Sequence, residues 1–188
     1  AAAVRARGGQ ILEDEGVERL LLGDGRVEGV QTTRRRIAAG RVVLAAGAWS
    51  NALWPQSRIA PVKGEMLLFQ APPGRVSHIV LQDHQYLIPR RDGAVVAGST
   101  LQRVGFDAAP SAAGRAEILA AVARMDPDLA SLPVVAHWAA LRPAPEGPLP
   151  RVEAVASCEG LFLCTGHYRL GLTLAPGSAE RIADLIAR

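Results

Sequence analysis

The sequence HQYLIPRRDGAVVAGST, residues 84–100, consists of two apolar runs joined by a short polar link. The link, Arg90-Arg91-Asp92-Gly93, ends in the Asp-Gly pair, which supplies the positive φ angle that tight hairpin turns need. Apolar runs of this length on either side of such a turn are typical of paired strands. We therefore predict a β-hairpin with strands at 79–89 and 94–99.

Further strands and helices are predicted on both sides of this hairpin. The clearest helix runs from Ser111 to Met125, because Ser111 can accept a hydrogen bond as the N-cap and apolar residues share one face. Asp126-Pro127 ends it, since the residue before a proline is disfavoured in a helix. The other patterns predict strands at 10–15, 17–22, 26–32, 41–47, 61–69, 134–141 and 160–165, a loop at 166–176 and a terminal helix at 178–188.

The composition is that of a globular protein with a hydrophobic core. Of the 188 residues, 49% are hydrophobic and 21% are charged, which excludes intrinsic disorder and collagen-like sequence. The longest apolar runs, such as 42–48, are far shorter than the roughly 20 residues of a membrane-spanning helix. No leader precedes a cleavage site, and Cys158 and Cys164 fit core packing in a reducing compartment. We therefore expect a cytoplasmic protein.

Nucleic-acid binding and metal binding are not expected. The 21 basic and 18 acidic residues leave a net charge of only +3. The one basic run, Arg34-Arg35-Arg36, is predicted to be a solvated hairpin tip, with an anion or partner contact as the alternative. The histidines at 78, 84, 137 and 167 lack the spacing of metal ligands, and no Gly-x-Ser-x-Gly frame marks a serine nucleophile.

Five longer motifs, taken together, point to a family. They are VVLAAGAWS (42–50), PVKGEM (61–66), the hairpin quoted above, WAALRP (138–143) and GHYRLGLTLAP (166–176). In this order they resemble motifs of the FAD-dependent D-amino-acid oxidase family, and especially its glycine oxidase branch. The chain departs from that branch at three positions, with Ala140 and Glu153 in place of Gly and Leu170 in place of Asn.

The resemblance implies a mixed α/β fold. It consists of a partial FAD-binding domain, formed by residues 1–60 and 151–188, and a substrate-binding lobe at 61–150 with a mixed or antiparallel sheet and flanking helices. The family's Gly-rich phosphate loop has no counterpart here, and the chain opens at Ala1 in a predicted helix. We therefore expect a piece of a longer protein that retains little flavin on its own.

The resemblance assigns five residues to the substrate pocket. Arg142 stands at the position of a carboxylate clamp, and a guanidinium binds a carboxylate through two parallel charge-assisted hydrogen bonds. Tyr86 would donate a further hydrogen bond from its hydroxyl. Arg169 would bound the pocket, His84 would lie at its rim, and Leu101 would line it. For Arg142, Tyr86, Arg169 and His84 the alternative is a purely structural role.

The resemblance also implies contacts with FAD, mainly through the backbone. Ala46 and Gly47 would pack near the dinucleotide portion. The segment 166–172 would pass along the isoalloxazine ring, and the helix after it would direct its positive N-terminus towards the pyrimidine edge. The residues of this segment are Gly166, His167, Tyr168, Arg169, Leu170, Gly171 and Leu172.

The implied reaction is the oxidative deamination of glycine or a small D-amino acid. Hydride passes from the α-carbon to flavin N5, dioxygen reoxidises the flavin to give hydrogen peroxide, and the imine hydrolyses, with no residue acting as acid or base. The expected partners are the amino acid or amine and dioxygen, and a homo-oligomer is left open. One alternative is a sarcosine-type or other secondary-amine oxidase. The other is a catalytically silent binding module, which Glu153 and Leu170 favour.

Overall fold

The computed structural model describes residues 1–188, and the chain divides into two compact units. The first unit contains residues 1–59 and 147–188, and the second contains residues 60–146. The mixed α/β class predicted from the sequence is confirmed, whereas the assignment of the two parts to flavin and substrate stays a prediction. None of the helices combines the length and the apolar character that crossing a membrane demands.

Eleven strands and five helices follow one another along the chain. The strands are β1 (Val17–Gly23), β2 (Arg26–Thr32), β3 (Arg36–Ala38), β4 (Val42–Leu44), β5 (Ile59–Phe69), β6 (Val80–Gln82), β7 (Gln85–Pro89), β8 (Val95–Gly98), β9 (Val134–Pro145), β10 (Arg151–Ala154) and β11 (Leu161–Thr165). The helices are α1 (Ala2–Arg5), α2 (Ser50–Leu53), α3 (Ala112–Met125), α4 (Pro127–Ala130) and α5 (Gly171–Ala187).

The first unit contains two small sheets. In one, β1, β2 and β3 are antiparallel neighbours in that order. In the other, β11 lies between β10 and β4, antiparallel to β10 and parallel to β4. The buried side chains of this unit's core are Leu20, Val27, Leu44, Cys158, Leu161 and Leu163.

The second unit is built on one five-stranded sheet with the strand order β6-β7-β8-β5-β9. The predicted turn at Gly93 is confirmed, with φ +91°, and it joins β7 to β8. The predicted strand at 79–89 is wrong as one strand, because a turn at residues 83 and 84 divides it into β6 and β7, which pair with each other. The Ser111 hydroxyl oxygen accepts a hydrogen bond from the Gly114 N–H at 3.0 Å, which begins α3 as predicted. The core between the sheet and α3 contains Leu67, Phe69, Leu87, Val95, Ala97, Ile118 and Val122.

Several predicted boundaries are wrong. Residues 10–15 form no strand, and the run at 41–47 forms only the short strand β4. Strand β9 continues past residue 141 to Pro145. It lies at an edge of the sheet, and its prolines 143 and 145 are two residues apart, so both point their missing N–H groups to the same side. Prolines are therefore compatible with this strand.

The terminal helix begins earlier than predicted. It starts at Gly171 rather than at residue 178, and it contains Pro176. The Leu174 N–H donates to the Leu170 carbonyl at 2.9 Å, so the helical bonding is already established before the proline. A loop ending at Pro176 was therefore the wrong interpretation.

Candidate active site

Arg142 lies on the edge strand β9 and reaches across β5 towards the end of β8. Its Nη2 donates to the Ser99 hydroxyl at 2.6 Å, and its Nη1 donates to the Thr100 carbonyl at 3.2 Å. A guanidinium has five N–H donors in one plane, so three of them remain for another acceptor. The side chain is half-buried and is held by two neutral groups.

The guanidinium of Arg142 crosses β5 at Gly64. A Cβ built on Gly64 would clash with its two terminal nitrogens and the carbon between them. Glycine inside a strand often marks a place where another group approaches the backbone closely. Gly64 therefore makes the room in which the guanidinium lies.

Arg142 has no carboxylate partner within the chain. The arginines that form ion pairs are others, such as Arg35 with Glu15 and Arg75 with Asp126. A half-buried charge without a counter-ion is unfavourable, since two neutral acceptors replace only part of its hydration. The position of Arg142 is thus suited to an anion supplied from outside the chain.

Tyr86 lies on the same face of the sheet as this guanidinium. In the observed register Tyr86 is opposite Gly98 on β8, and Gly98 is opposite Met66 on β5. Directly opposed residues share a face, and so do residues two apart in one strand, such as Gly64 and Met66. We name the face that carries these four residues the Arg142 face. The sequence-predicted residues Arg142 and Tyr86 are thus brought to one face.

Leu101 also belongs to the Arg142 face. Lys63 and Gln102 exchange two backbone hydrogen bonds of 2.9 and 3.0 Å, so the next pair along is Gly64 and Leu101. Leu101 is half-exposed beside Gly64. His84 instead lies at the exposed tip of the turn between β6 and β7, two residues from Tyr86. Its role at a pocket rim stays a prediction.

The opposite face of β5 carries a buried charged cluster next to Gly64. Glu65 is fully buried, and its carboxylate accepts hydrogen bonds from the Ser111 N–H at 2.9 Å and the Ser111 hydroxyl at 2.7 Å. The Nε2 atom of His137, on β9, lies 2.8 Å from Glu65 Oε2. Lys63 Nζ lies 3.5 Å from Glu65 Oε1 and 3.4 Å from Asp107 Oδ2.

Opposing effects set the pKa of Glu65. Burial raises this pKa, but the hydrogen bonds from Ser111, the contact with His137 and the charge of Lys63 together outweigh it, so the pKa lies below its usual value. The carboxylate is therefore ionised at neutral pH. It joins β5, β9 and the start of α3 directly behind Gly64.

In the first unit, the cofactor-binding candidates lie after two parallel strands. Ala46 and Gly47 follow β4, and Gly166 follows β11, so they lie at the same edge of the sheet. Ligands of α/β sheets bind at this carboxyl edge. Both glycines have positive φ, +55° at Gly47 and +78° at Gly166.

Two buried hydroxyls hold the Gly47 turn. Ser50 Oγ donates to the Gly47 carbonyl at 2.8 Å, and Thr165 Oγ1 lies 3.3 Å from the same carbonyl oxygen. The two hydroxyl oxygens are 2.7 Å apart, within hydrogen-bond distance of each other. Thr165 is the last residue of β11, so this network joins the two parallel strands where both end.

The segment from His167 to Leu170 forms a turn that leads into α5, whose first two residues are Gly171 and Leu172. His167 Nε2 is hydrogen-bonded to Ser178 Oγ at 2.9 Å, which joins the turn to the helix. Tyr168 has a φ of +51°, which is unusual for a residue other than glycine. Arg169 and Leu170 are exposed, and Leu172 is 93% exposed. The structure therefore groups Arg169 with the cofactor candidates of the first unit.

The residues of this edge fit a flat cofactor held by backbone groups. A Cβ on Gly47 would meet nothing within 4 Å, so the backbone is open to close approach there. Helix α5 has no side-chain cap, so the N–H groups of its first turn remain available to acceptor oxygens. The Glu153 carboxylate accepts from Arg151 Nε on its own strand, so its charge is paired. The backbone and the charges at this edge are therefore compatible with bound FAD.

Three parts of the candidate site were not predicted from the sequence. Gly64 and Ser99 both lie inside motifs quoted above, but their contacts with Arg142 join residues far apart in the chain. A glycine between the charged residues 63 and 65 of a predicted strand was the available signal for the first. The Ser50–Thr165 network spans 115 residues and had no local signal.

Comparisons with known proteins agree on one family. The family model described as DAO, FAD dependent oxidoreductase, matches residues 1–185. A glycine oxidase from Pseudomonas aeruginosa is 44% identical over 167 residues, covering 86% of this chain and 46% of that protein. A crystal structure of glycine oxidase from Bacillus cereus superposes with a TM-score of 0.91 at 29% identity, covering 100% of this chain and 54% of that one. An iminodiacetate oxidase from Chelativorans gives a TM-score of 0.86 at 27% identity, covering 99% of this chain and 52% of that one. The chain thus spans about half the length of these relatives.

Proposed function

Because the chain belongs to the DAO family of FAD-dependent oxidoreductases, we propose that the protein containing it oxidises a small amino acid, with dioxygen as the oxidant. The observation that carries the substrate class is the unpaired guanidinium of Arg142. It is half-buried, it lies on the sheet face shared with Tyr86, and no carboxylate of the chain neutralises it. Glycine and small D-amino acids bring the carboxylate that this site lacks.

The proposed role of Arg142 is to bind and orient the substrate carboxylate. The three N–H groups not used by Ser99 and Thr100 are donors for its oxygens. Tyr86 is proposed to donate a further hydrogen bond, and Leu101 to provide an apolar wall. Fixing the carboxylate at one end fixes the α-carbon and the amine, which is how orientation lowers the barrier.

The chemistry that bound FAD supplies is acceptance of hydride and reoxidation by dioxygen. The residues proposed to hold it are Ala46, Gly47 and the segment 166–172, including Arg169. Their part is to present backbone N–H groups and the positive end of α5, which favours negative charge on a bound group. No side chain is needed as a general base, since the neutral amine of the substrate assists loss of the α-hydrogen. His84 is proposed to lie at the rim of the pocket.

A secondary-amine substrate is the second candidate. Its support is the likeness to an iminodiacetate oxidase, whose substrate by name carries a secondary amine and carboxylates. A carboxylate clamp accepts glycine and an N-substituted glycine equally well, because it does not contact the amine.

The free cysteines are consistent with a reducing compartment, and we propose the cytoplasm as the location.

The experiment is a peroxide assay of the flavin-loaded protein that contains this chain. Glycine, sarcosine, D-alanine and iminodiacetate are compared, with the variants Arg142→Ala and Arg142→Lys beside the unchanged protein. We expect oxidation of at least one of the four substrates. In Arg142→Ala we expect KM to rise about 100-fold, because the substrate carboxylate loses the guanidinium that binds it. Each tenfold change corresponds to about 1.4 kcal/mol. Lysine keeps the charge but not the planar fork, so it should restore only part of the affinity.

Two outcomes would contradict this function. An unchanged KM in Arg142→Ala would remove Arg142 from the substrate site. Full flavin occupancy with no peroxide from any of the four amines would favour the silent binding module instead.

A further inference from the structure

We propose that Ser99 is the positioning residue of the carboxylate clamp, because its hydroxyl fixes the direction in which Arg142 presents its free N–H groups. This inference rests on the proposed function of Arg142. The contact of 2.6 Å between Arg142 Nη2 and Ser99 Oγ is the shorter of the two that hold the guanidinium. It is also the only one made by a side chain.

The surroundings of Ser99 explain why one hydroxyl has this effect. Ser99 is buried, and it follows Gly98, whose position in β8 is fixed by pairing with Met66 and Tyr86. The acceptor therefore stands on a rigid strand end, whereas the arginine side chain is long and flexible. The hydrogen bond to this rigid acceptor already restricts the rotamers of the arginine side chain in the free protein. Less side-chain entropy is therefore lost when a ligand binds.

Gly64 supplies the second restraint on the same group. The guanidinium lies against the backbone of Gly64 and donates to the Ser99 hydroxyl and the Thr100 carbonyl. The two hydrogen bonds and the packing against the Gly64 backbone together fix the plane of the guanidinium. Arg142 is thus set in place before a carboxylate arrives, which reduces the entropy cost of binding.

The test measures acetate binding to the flavin-loaded protein by calorimetry, together with KM and kcat for the best substrate. In Ser99→Ala we expect acetate affinity to fall about tenfold, close to the lower limit for a hydrogen bond to a charged group. KM should rise by a similar factor while kcat changes by less than about threefold, because the clamp binds ground state and transition state alike. Ser99→Thr keeps the hydroxyl and should restore the affinity.

Ser111→Ala is the matched control. It also removes one hydroxyl from the second unit, but that hydroxyl binds Glu65 and does not touch Arg142. Thermal unfolding should show that this control variant is less stable. Calorimetry should show that its acetate affinity is unchanged. If Ser99→Ala does not fold, acetate binding is measured in Ser99→Cys instead. This variant keeps the side-chain volume but offers a weaker acceptor.

The outcomes separate the two proposals. Weaker acetate binding in Arg142→Lys with unchanged binding in both Ser99→Ala and Ser99→Cys would overturn the role of Ser99 and leave the clamp intact. Unchanged acetate binding in Arg142→Lys would overturn the clamp itself. Equal losses in Ser111→Ala and Ser99→Ala would show that Ser99 acts only through stability, and would also overturn its positioning role.

Discussion

The guanidinium of Arg142 occupies the space in which a side chain at position 64 would stand, although the two residues are on different strands of the sheet. Only glycine leaves that space open. Behind Gly64, on the other face of the same strand, the carboxylate of Glu65 occupies the space above a second glycine, Gly114 of α3. Two charged side chains therefore each lie against a glycine, one on either side of β5.

This arrangement predicts opposite consequences for two otherwise similar substitutions. Gly64→Ala should displace the guanidinium from Ser99 and weaken binding of acetate and of an amino-acid substrate by tenfold or more, because the backbone beneath it cannot yield. Gly114→Ala should instead displace Glu65 and lower stability by about 1–3 kcal/mol, the usual cost of overpacking. Calorimetry with acetate and thermal unfolding measure the two effects. Equal acetate affinity in the two variants would contradict the prediction.

Glu65 predicts a dependence of stability on pH. Its pKa is lower in the folded protein than in the unfolded chain, so it stabilises the fold fully above its ordinary pKa of about 4.3. The contribution is lost as the pH falls through the lowered folded value. Glu65→Gln should cost about 3 kcal/mol at pH 7, because the buried Lys63 and the half-buried Ser111 and His137 lose their charged partner, and the difference should shrink towards pH 3.

The control for this prediction is Glu117→Gln, an exposed residue of α3. Glu117 accepts one hydrogen bond from Gln85 at 3.2 Å, and its substitution should change stability by no more than about 0.5 kcal/mol. Chemical denaturation at pH 3, 5 and 7 gives both free energies of unfolding. A Glu65→Gln difference that stays constant across this range would be incompatible with the lowered pKa.

Local patterns predicted the turn between β7 and β8 and the start of helix α3 correctly, because the signals of both are local. The turn at Gly93 needs a positive φ, and the helix start needs an acceptor at Ser111, both of which can be identified from a few neighbouring residues. The substrate candidates came from longer motifs that resemble one family. The register places Tyr86 and Leu101 on the same face as Arg142, but their roles remain predictions.

Features that depend on the partner strand could not be predicted in the same way. The run at 41–47 looked like a long, covered strand, but β4 lies at an edge of its sheet and pairs with β11 over only three residues. Prolines 143 and 145 indicated that β9 ends before them, because a proline cannot donate a hydrogen bond to a neighbouring strand. The strand continues to Pro145. The sequence does not reveal which edge of a strand is unpaired, and a proline is tolerated only there. The contact between Ser99 and Arg142 joins residues 43 apart, beyond the reach of any periodicity.

Both cysteines are predicted to be unreactive in the folded protein. Burial raises the pKa of the Cys158 thiol and that of the Cys164 thiol, so little thiolate forms at neutral pH. Both are free thiols. A disulfide exchange reagent at pH 7.5 should label the native protein far more slowly than the protein unfolded in guanidinium chloride, where two thiols per chain should react. Rapid labelling of the native protein would contradict this.

The hydroxyl network of Ser50 and Thr165 predicts how firmly the flavin is held. The Ser50 hydroxyl donates to the Gly47 carbonyl, and the Thr165 hydroxyl lies within hydrogen-bond distance of both the Ser50 hydroxyl and that carbonyl, so Thr165→Val should loosen the turn at the carboxyl edge of β4 and β11. We expect the FAD dissociation constant of the protein that contains this chain to rise about tenfold, which corresponds to about 1.4 kcal/mol. Ser57→Ala is the control, because Ser57 is in the same unit and its buried hydroxyl has no hydrogen-bond partner. Quenching of flavin fluorescence on binding provides the measurement, and equal dissociation constants for the two variants would exclude a role of this network in cofactor binding.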